Sequence, residues 1–219
     1  MFDRTQERED MVRYQLARRD IRDERVLAAM REVPRERFVP ADWAEEAYDD
    51  GTLPIGDDQT ISQPYIVALM IQAAELAPGD RVLEVGAGSG YAAAVMSRIA
   101  RQVIAIERHA GLAAQARDRL AALGYDNIEI IVGDGTRGAV DKAPFNAIIV
   151  SAAGPGVPHA LQQQLDLAGR LIIPVGDGGI QRLLKVTRTG ATHFQEEDLG
   201  EVVFVPLIGE EGWHEESSR

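Results

Sequence analysis

The chain reads as an α/β protein: a doubly wound, mainly parallel sheet with an N-terminal helical extension and antiparallel strands near its C-terminus. Three observations carry that reading. Short apolar runs, VIAI (103–106), IEIIV (128–132), AIIV (147–150) and LIIPV (171–175), alternate with longer segments of helical periodicity, the pattern of strands covered on both faces. The stretch RVLEVGAGSGY (81–91) runs from a buried strand into a turn with glycine at alternate positions, and then into a helix. After Gly178 and Gly179 the helical period gives way to simple alternation, as hairpin-connected strands require.

Taken in order, residues 5–32 read as helices. Asp20 or Asp23 is placed to cap the second, whose Val26, Leu27 and Met30 share one apolar face before Val33–Pro34 ends it. The eight arginines from Arg13 to Arg37, mixed with Asp20, Asp23, Glu24, Glu32 and Glu36, are expected on a solvated, salt-bridged face. Phe38–Val39–Pro40 is an extended link to a short helix around Trp43–Tyr48. Residues 49–63, DDGTLPIGDDQTISQ, read as a loop, long enough at about 15 residues to imply function. Pro64 opens a helix to Leu76, where its missing N–H would be unpaired anyway, with Ile66, Leu69, Met70 and Ala73 spaced for burial. Strand 81–85 and helix 91–100 follow, then strand 102–106 and helix 110–123, which Gly124 ends. Strands 128–132 and 145–150, helix 159–167 and strand 170–175 complete the alternation. Leu183–Arg188 and Glu201–Leu207 read as antiparallel strands, and the acidic tail from Glu210 as loosely held. The expected organisation is one domain over 1–219: a helical and loop cover (1–63), a cofactor-binding core (64–178) and a C-terminal antiparallel unit (179–219).

Composition excludes several functions. The net charge is −12, from 23 basic and 35 acidic residues, which speaks against a protein that tracks nucleic-acid phosphates on a basic face. There is no cysteine, hence no disulfide, thiolate nucleophile or cysteine-held metal. His109, His159, His193 and His214 lack the spacing of a helical metal pair, so no metal is expected. The N-terminal MFDRTQERED lacks the apolar centre of a secretion signal, and no apolar run approaches the ~20 residues of a membrane helix. A cytoplasmic protein engaging neither membrane nor nucleic acid is expected.

Candidate site residues fall at the carboxyl ends of the strands, where open parallel sheets bind ligands. Gly86, Gly88 and Gly90 permit backbone conformations a Cβ would forbid and let a ligand approach the main chain. Their spacing is G-x-G-x-G, and Tyr91 stands where the dinucleotide fingerprint G-x-G-x-x-G requires glycine. Glu84, on the strand tip, repels a pyrophosphate but suits an ammonium-bearing ligand. Glu107, after the next strand, can accept from two ribose hydroxyls; it also suits a helix N-terminus without any ligand. Asp134 can accept from an adenine amino group while the Gly135 N–H meets a ring nitrogen, although Asp-Gly is also a common turn. Ser151, Ala152 and Ala153 form a small-residue rim. Thr60–Ile61–Ser62–Gln63–Pro64–Tyr65 brings hydroxyls, an amide and a ring to a helix start, where their plainest role is capping. Together the strand tips favour a nucleoside site.

At this point the sequence resembles a known family. The segments IRDERVLAAMREVPRERFVP (21–40), LPIGDDQTISQPYIVALM (53–70), RVLEVGAGSGYAAAVMSRI (81–99), GDG (133–135), GRLIIPVG (169–176) and VPLIGEEGW (205–213) are similar to those of the protein-L-isoaspartate O-methyltransferases. The likeness runs from about Met11 to Trp213. It implies a Rossmann-like class I methyltransferase fold, S-adenosylmethionine as cofactor, isoaspartyl proteins and peptides as substrate, and a monomer. By the same resemblance Ser62 is the active-site hydroxyl, and Thr60, Ile61 and Ser62 border the transferable methyl, with Tyr65 close by. Glu84, Gly86, Ala87, Gly88, Ser89, Glu107, Arg108, Asp134 and Gly135 match cofactor positions. Asp57–Asp58 and Gly154–Pro155–Gly156 depart from the family pattern, the former adding two carboxylates beside a site for an anionic substrate. The implied nucleophile is a carboxylate, already ionised at neutral pH, so Ser62 is expected to position it rather than deprotonate it. An extended peptide would lie across residues 53–63 and 205–213. Three other readings stay open on the residues: a methyltransferase of the same fold for a small molecule or another peptide carboxylate, a nicotinamide dehydrogenase, against which Tyr91 counts, and a non-catalytic S-adenosylmethionine-binding module.

Overall fold

Two helical segments open the chain in the computed structural model, which describes residues 4–214. Helix α1 (Thr5–Asp10) continues as a π-helical stretch, Met11–Leu16, that buries Met11, Val12 and Leu16. Helix α2 (Glu24–Glu32) buries Val26, Leu27, Ala29 and Met30. Its cap is Asp23, which accepts the Arg25 N–H at 2.9 Å; Asp20 instead accepts the Tyr65 hydroxyl at 2.7 Å.

The helix expected around Trp43–Tyr48 does not form; a single 3-10 turn covers Ala41–Trp43. Side chains take the carbonyls a helix would have used. Arg4 donates to those of Ala44 and Glu45, Arg35 to Ala47 and Gln15 to Tyr48, both at 2.8 Å. The segment read as a loop holds a hairpin, β1 (Leu53–Gly56) and β2 (Gln59–Ile61), with Leu53 opposite Ile61. Its turn residues Asp57 and Asp58 have φ of 49° and 55°, the left-handed pair a tight two-residue hairpin needs. Helix α3 (Pro64–Ala73) buries Val67, Ala68, Met70 and Ile71, while Ile66, Leu69 and Ala73 are half-buried. Its apolar residues surround the helix, so periodicity alone could not choose the face wedged against α2 and the π-helical stretch.

The main sheet has seven strands: β3 (Arg81–Val85), β4 (Gln102–Glu107), β5 (Ile128–Val132), β6 (Phe145–Val150), β7 (Leu165–Val175), β8 (Gln181–Arg188) and β9 (Phe194–Val202). Their order is β5-β4-β3-β6-β7-β8-β9; β3 to β7 are parallel, and β8 and β9 are added antiparallel. Helices α4 (Tyr91–Ser97), α5 (Ala110–Ala122) and α6 (His159–Gln163) complete the crossovers. Val82, Val103, Ala147 and Ile149 face one way, into a core shared with α3, α4 and α5. Leu83, Ile104, Ile148 and Leu171 face the other, into a core with Leu161 of α6. Each fully buried aliphatic side chain contributes ~1.5–3 kcal/mol, so strands buried on both faces anchor the tips that carry the site.

Several boundaries differ from expectation, the clearest at the C-terminal strands. Helix α6 stops at Gln163, and β7 begins at Leu165, with Ala168 at a left-handed φ of 62°. The last strand is Phe194–Val202 rather than Glu201–Leu207. Its QEED run (195–198) is exposed on an edge, where charge discourages pairing with another chain and hides the strand from apolar alternation. Residues 205–207 instead bridge to Ala153, whose N–H donates to the Val205 carbonyl and whose carbonyl accepts from Leu207, both at 2.8 Å.

Candidate active site: a cleft at the strand tips

Strand β3 has β4 on one side and β6 on the other, so the winding direction reverses beside its carboxyl end. Such switch points open a crevice. Here the crevice encloses about 770 Å³, part of it open to solvent.

The glycine turn forms one wall. Gly86, Gly88 and Gly90 have φ of 86°, 51° and 85°, all in the region that favours glycine. The Gly86 and Ala87 amides both donate to the Ile106 carbonyl, at 2.8 and 3.1 Å, which ties the turn to β4. A Cβ on Gly88 would lie 3.1 Å from Ile55 Cδ1, so the hairpin packs against the turn.

Two carboxylates enter the cleft with different environments. Glu84 is 1% exposed, and its Oε2 has no hydrogen-bond partner among the described residues. Burial, then the nearby Glu107, push its pKa well above the ordinary carboxylate value, partly opposed by the Ala93 amide. An unpaired buried polar group costs ~1–3 kcal/mol, and a ligand donor would remove that cost. Glu107 is fixed instead: Oε2 accepts the Gly88 N–H at 2.8 Å and Oε1 the His109 N–H at 2.9 Å. Each of its oxygens keeps a lone pair for a further donor.

Thr60, Ile61 and Ser62 reach the opposite wall from the end of β2. The capping role open to them in the sequence is not used: the cap position of α3 is Gln63, and no side chain caps the helix. Glu84, Gly86, Ala87, Gly88, Ser89, Glu107, Arg108 and Gly135 line the same space, as do Ser151 and Ala152. A Cβ on Gly135 would fall 2.3 Å from Val85 Cγ1; glycine is needed there because the loop crosses the tip of β3.

Tyr65 and Asp134, expected at the site, lie outside that wall, as do Gln63, Gly90 and Ala153. Tyr65 turns to the N-terminal segment, donating to Asp20 beneath the Arg19 guanidinium, 3.3 Å from its ring centre. Asp134 Oδ1 accepts the Thr136 N–H (2.9 Å) and hydroxyl (2.7 Å), and Oδ2 accepts the Glu210 N–H (2.8 Å). Burial works to raise its pKa; the Glu210 and Thr136 bonds, with Arg137 nearby, outweigh it, and the net shift is downward. Asp134 thus latches the segment 207–213, whose Leu207 and Ile208 roof the cleft.

Val67 and Ile106, the apolar lining, were not singled out in the sequence because nothing marks them among the other core residues. Arg35 was missed for a clearer reason. Surface pairs such as Arg19–Asp50 (3.2 Å) and Arg25–Asp23 (2.8 Å) fit the expected solvated face, but Arg35 is 0% exposed. Its position after Val33–Pro34 and before Phe38–Val39, outside the amphipathic helix, was the available signal.

Comparisons with known proteins point to one family. A family model for protein-L-isoaspartate(D-aspartate) O-methyltransferase (PCMT) matches residues 6–212. A protein-L-isoaspartate O-methyltransferase of Methylorubrum extorquens (strain PA1) is 60% identical over 206 residues, covering 94% of this chain and 90% of the relative. Among solved structures, a protein-L-isoaspartate O-methyltransferase superposes with a TM-score of 0.86 at 29% identity, over 94% of this chain and 67% of its own. Another from Plasmodium falciparum, in complex with S-adenosyl-L-homocysteine, gives 0.79 at 27% identity, over 92% and 98%. The chain belongs to the protein-L-isoaspartate(D-aspartate) O-methyltransferase family.

Proposed function

We propose that the cleft binds S-adenosylmethionine and that the chain methylates the free α-carboxylate of L-isoaspartyl residues in proteins and peptides. The observation that carries the reading is the buried, unpartnered Glu84 oxygen beside the glycine turn. It asks for a cationic donor at the place where a nucleoside ligand would end. Glu84 would hold the ammonium group and Glu107 the ribose hydroxyls. The Gly135 amide with Ile106 and Leu207 would hold the adenine. Asp134 contributes by fixing the roof. When bound, S-adenosylmethionine supplies a methyl group activated by a sulfonium.

The chain's own residues then have limited chemistry to perform. A peptide carboxylate has a pKa of ~4 and is ionised at neutral pH, so no general base is needed. None is offered: Thr60 to Pro64 contain no His or Lys. The Ser62 hydroxyl donates a hydrogen bond that aims the acceptor oxygen, and the roof and hairpin exclude water, which leaves alignment as the main source of rate. A second, more open groove lined by Thr52, Ile66, Val203 and Phe204 meets the cleft at Thr60 and Ser62. That extension suits a polypeptide acceptor better than a compact metabolite. The methyl ester formed would close to a succinimide and reopen partly to normal aspartate.

The test offers methyl-labelled S-adenosylmethionine with paired peptides differing only in aspartate or isoaspartate. Base-labile label, released as methanol, is expected on the isoaspartyl peptide alone. Equal labelling of both peptides, or labelling confined to small carboxylic acids, would refute the assignment.

A further inference from the structure

We infer that Arg35 is a positioning residue for methyl transfer, its buried guanidinium fixing the Ser62 main chain against the helix that follows the glycine turn. The inference rests on the role proposed above for Ser62. Arg35 Nη2 donates to the Ser62 carbonyl and Nε to the Ala47 carbonyl, each at 2.8 Å. Its guanidinium carbon lies 4.8 Å from the centre of the Tyr91 ring. Tyr91 is the first residue of α4 and lines the cleft, as Ser62 does. One side chain therefore joins three segments distant in sequence: the turn at 47, the loop at 62 and the helix start at 91.

Stability alone is a poor reason for this arrangement. The groups facing Arg35 are carbonyls and the Tyr91 and Tyr48 side chains, with no carboxylate among them. Its Nη1 has no hydrogen-bond partner among the described residues. A buried cation without a counter-ion is costly, and apolar side chains of similar volume commonly replace buried charges with no loss of stability. The planar fork provides what an apolar side chain cannot: two directed bonds to two carbonyls and a flat face on a ring. The Ser62 carbonyl is anchored, and the residue lines both the cleft and the groove. Misplacing a reacting group by about 1 Å can cost ~10²-fold in rate, so holding this main chain is a kinetic contribution.

A double-mutant cycle separates positioning from packing, using Arg35→Met, Arg35→Lys and Ser62→Ala singly and in pairs. Turnover of an isoaspartyl peptide is measured at saturating S-adenosylmethionine, S-adenosylhomocysteine affinity by calorimetry, and folding by thermal unfolding. Arg35→Met is expected to lower kcat by ~10–100-fold, to leave S-adenosylhomocysteine affinity within about threefold, and to be partly rescued in Arg35→Lys. In the Ser62→Ala background the same replacement is expected to cost less than about threefold, because residues acting as a unit are not additive. If Arg35→Met does not fold, Arg35→Lys, which keeps the charge and loses the fork, carries the cycle. Equal losses in both backgrounds would overturn the inference while leaving the Ser62 role intact. A Ser62→Ala variant with undiminished turnover would overturn both.

Discussion

Replacing Glu84 with glutamine is expected to stabilise the ligand-free protein while sharply weakening cofactor binding. The carboxylate is 1% exposed, has one unpartnered oxygen, and shares the cleft with Glu107. Its folded pKa is raised well above the ordinary carboxylate range by burial first and Glu107 second. A group shifted in that direction contributes fully to stability below its unfolded pKa, and the contribution is lost as pH rises through the folded value. At pH 8 the ligand-free protein therefore carries the cost of a buried carboxyl that cannot ionise as readily as in the unfolded chain, and Glu84→Gln removes it. A relief of ~1 kcal/mol raises the melting temperature by about 2–4 °C in a domain of this size, and the advantage should shrink towards pH 5. Asp23 and Asp134 shift the other way. Their contribution is present above the ordinary carboxylate range and lost on acidification, so the difference between wild type and variant isolates Glu84.

Binding should respond oppositely. An amide cannot neutralise an ammonium group, and removing one partner of a buried ion pair costs ~3–5 kcal/mol, which is ~100-fold or more in affinity. Calorimetry with S-adenosylhomocysteine checks both halves. Wild-type binding is expected to release a proton, so its heat varies with the ionisation enthalpy of the buffer, and affinity falls as pH drops below the raised Glu84 value. The variant should lose both dependences. Equal affinities, or a variant less stable than wild type at pH 8, would contradict the assignment.

Ser62→Ala is the second large effect, and it should appear in turnover. Ser62 is half-buried where the two grooves meet, and no side chain caps α3, so removing the hydroxyl leaves the helix start as it is. A fall in kcat of ~10–100-fold is expected from lost alignment, with S-adenosylhomocysteine affinity within about threefold and the melting temperature unchanged. Because a hydroxyl that only donates a hydrogen bond does not titrate near neutrality, the kcat profile from pH 7 to 9 should keep its shape. A new pH-dependent limb, or loss of cofactor binding, would show that Ser62 has another role.

The sheet was legible because its strands are buried on both faces. Val103–Ile106 and Ala147–Val150 carry almost no polar residues, and such runs admit few other interpretations. The strand tips were legible because Glu84, the alternating glycines and Glu107 violate that apolar pattern at fixed places. Strand β9 was not, since Gln195–Asp198 sits on an exposed edge where pairing leaves no apolar signature. Asp134 showed its position but not its partners; the amide it holds, Glu210, lies 76 residues away. Arg35 was hidden for a similar reason, because its burial depends on carbonyls 12 and 27 residues further along. Local sequence reports where the chain turns and which face is apolar, whereas these contacts arise only from packing of distant segments.

The most direct test is a crystal structure with S-adenosylhomocysteine bound. The amino group is expected against Glu84, the ribose hydroxyls on Glu107 and the sulfur facing the Ser62 hydroxyl. Ligand lodged away from the glycine turn, or a Ser62 hydroxyl directed away from the sulfur, would contradict the proposed site.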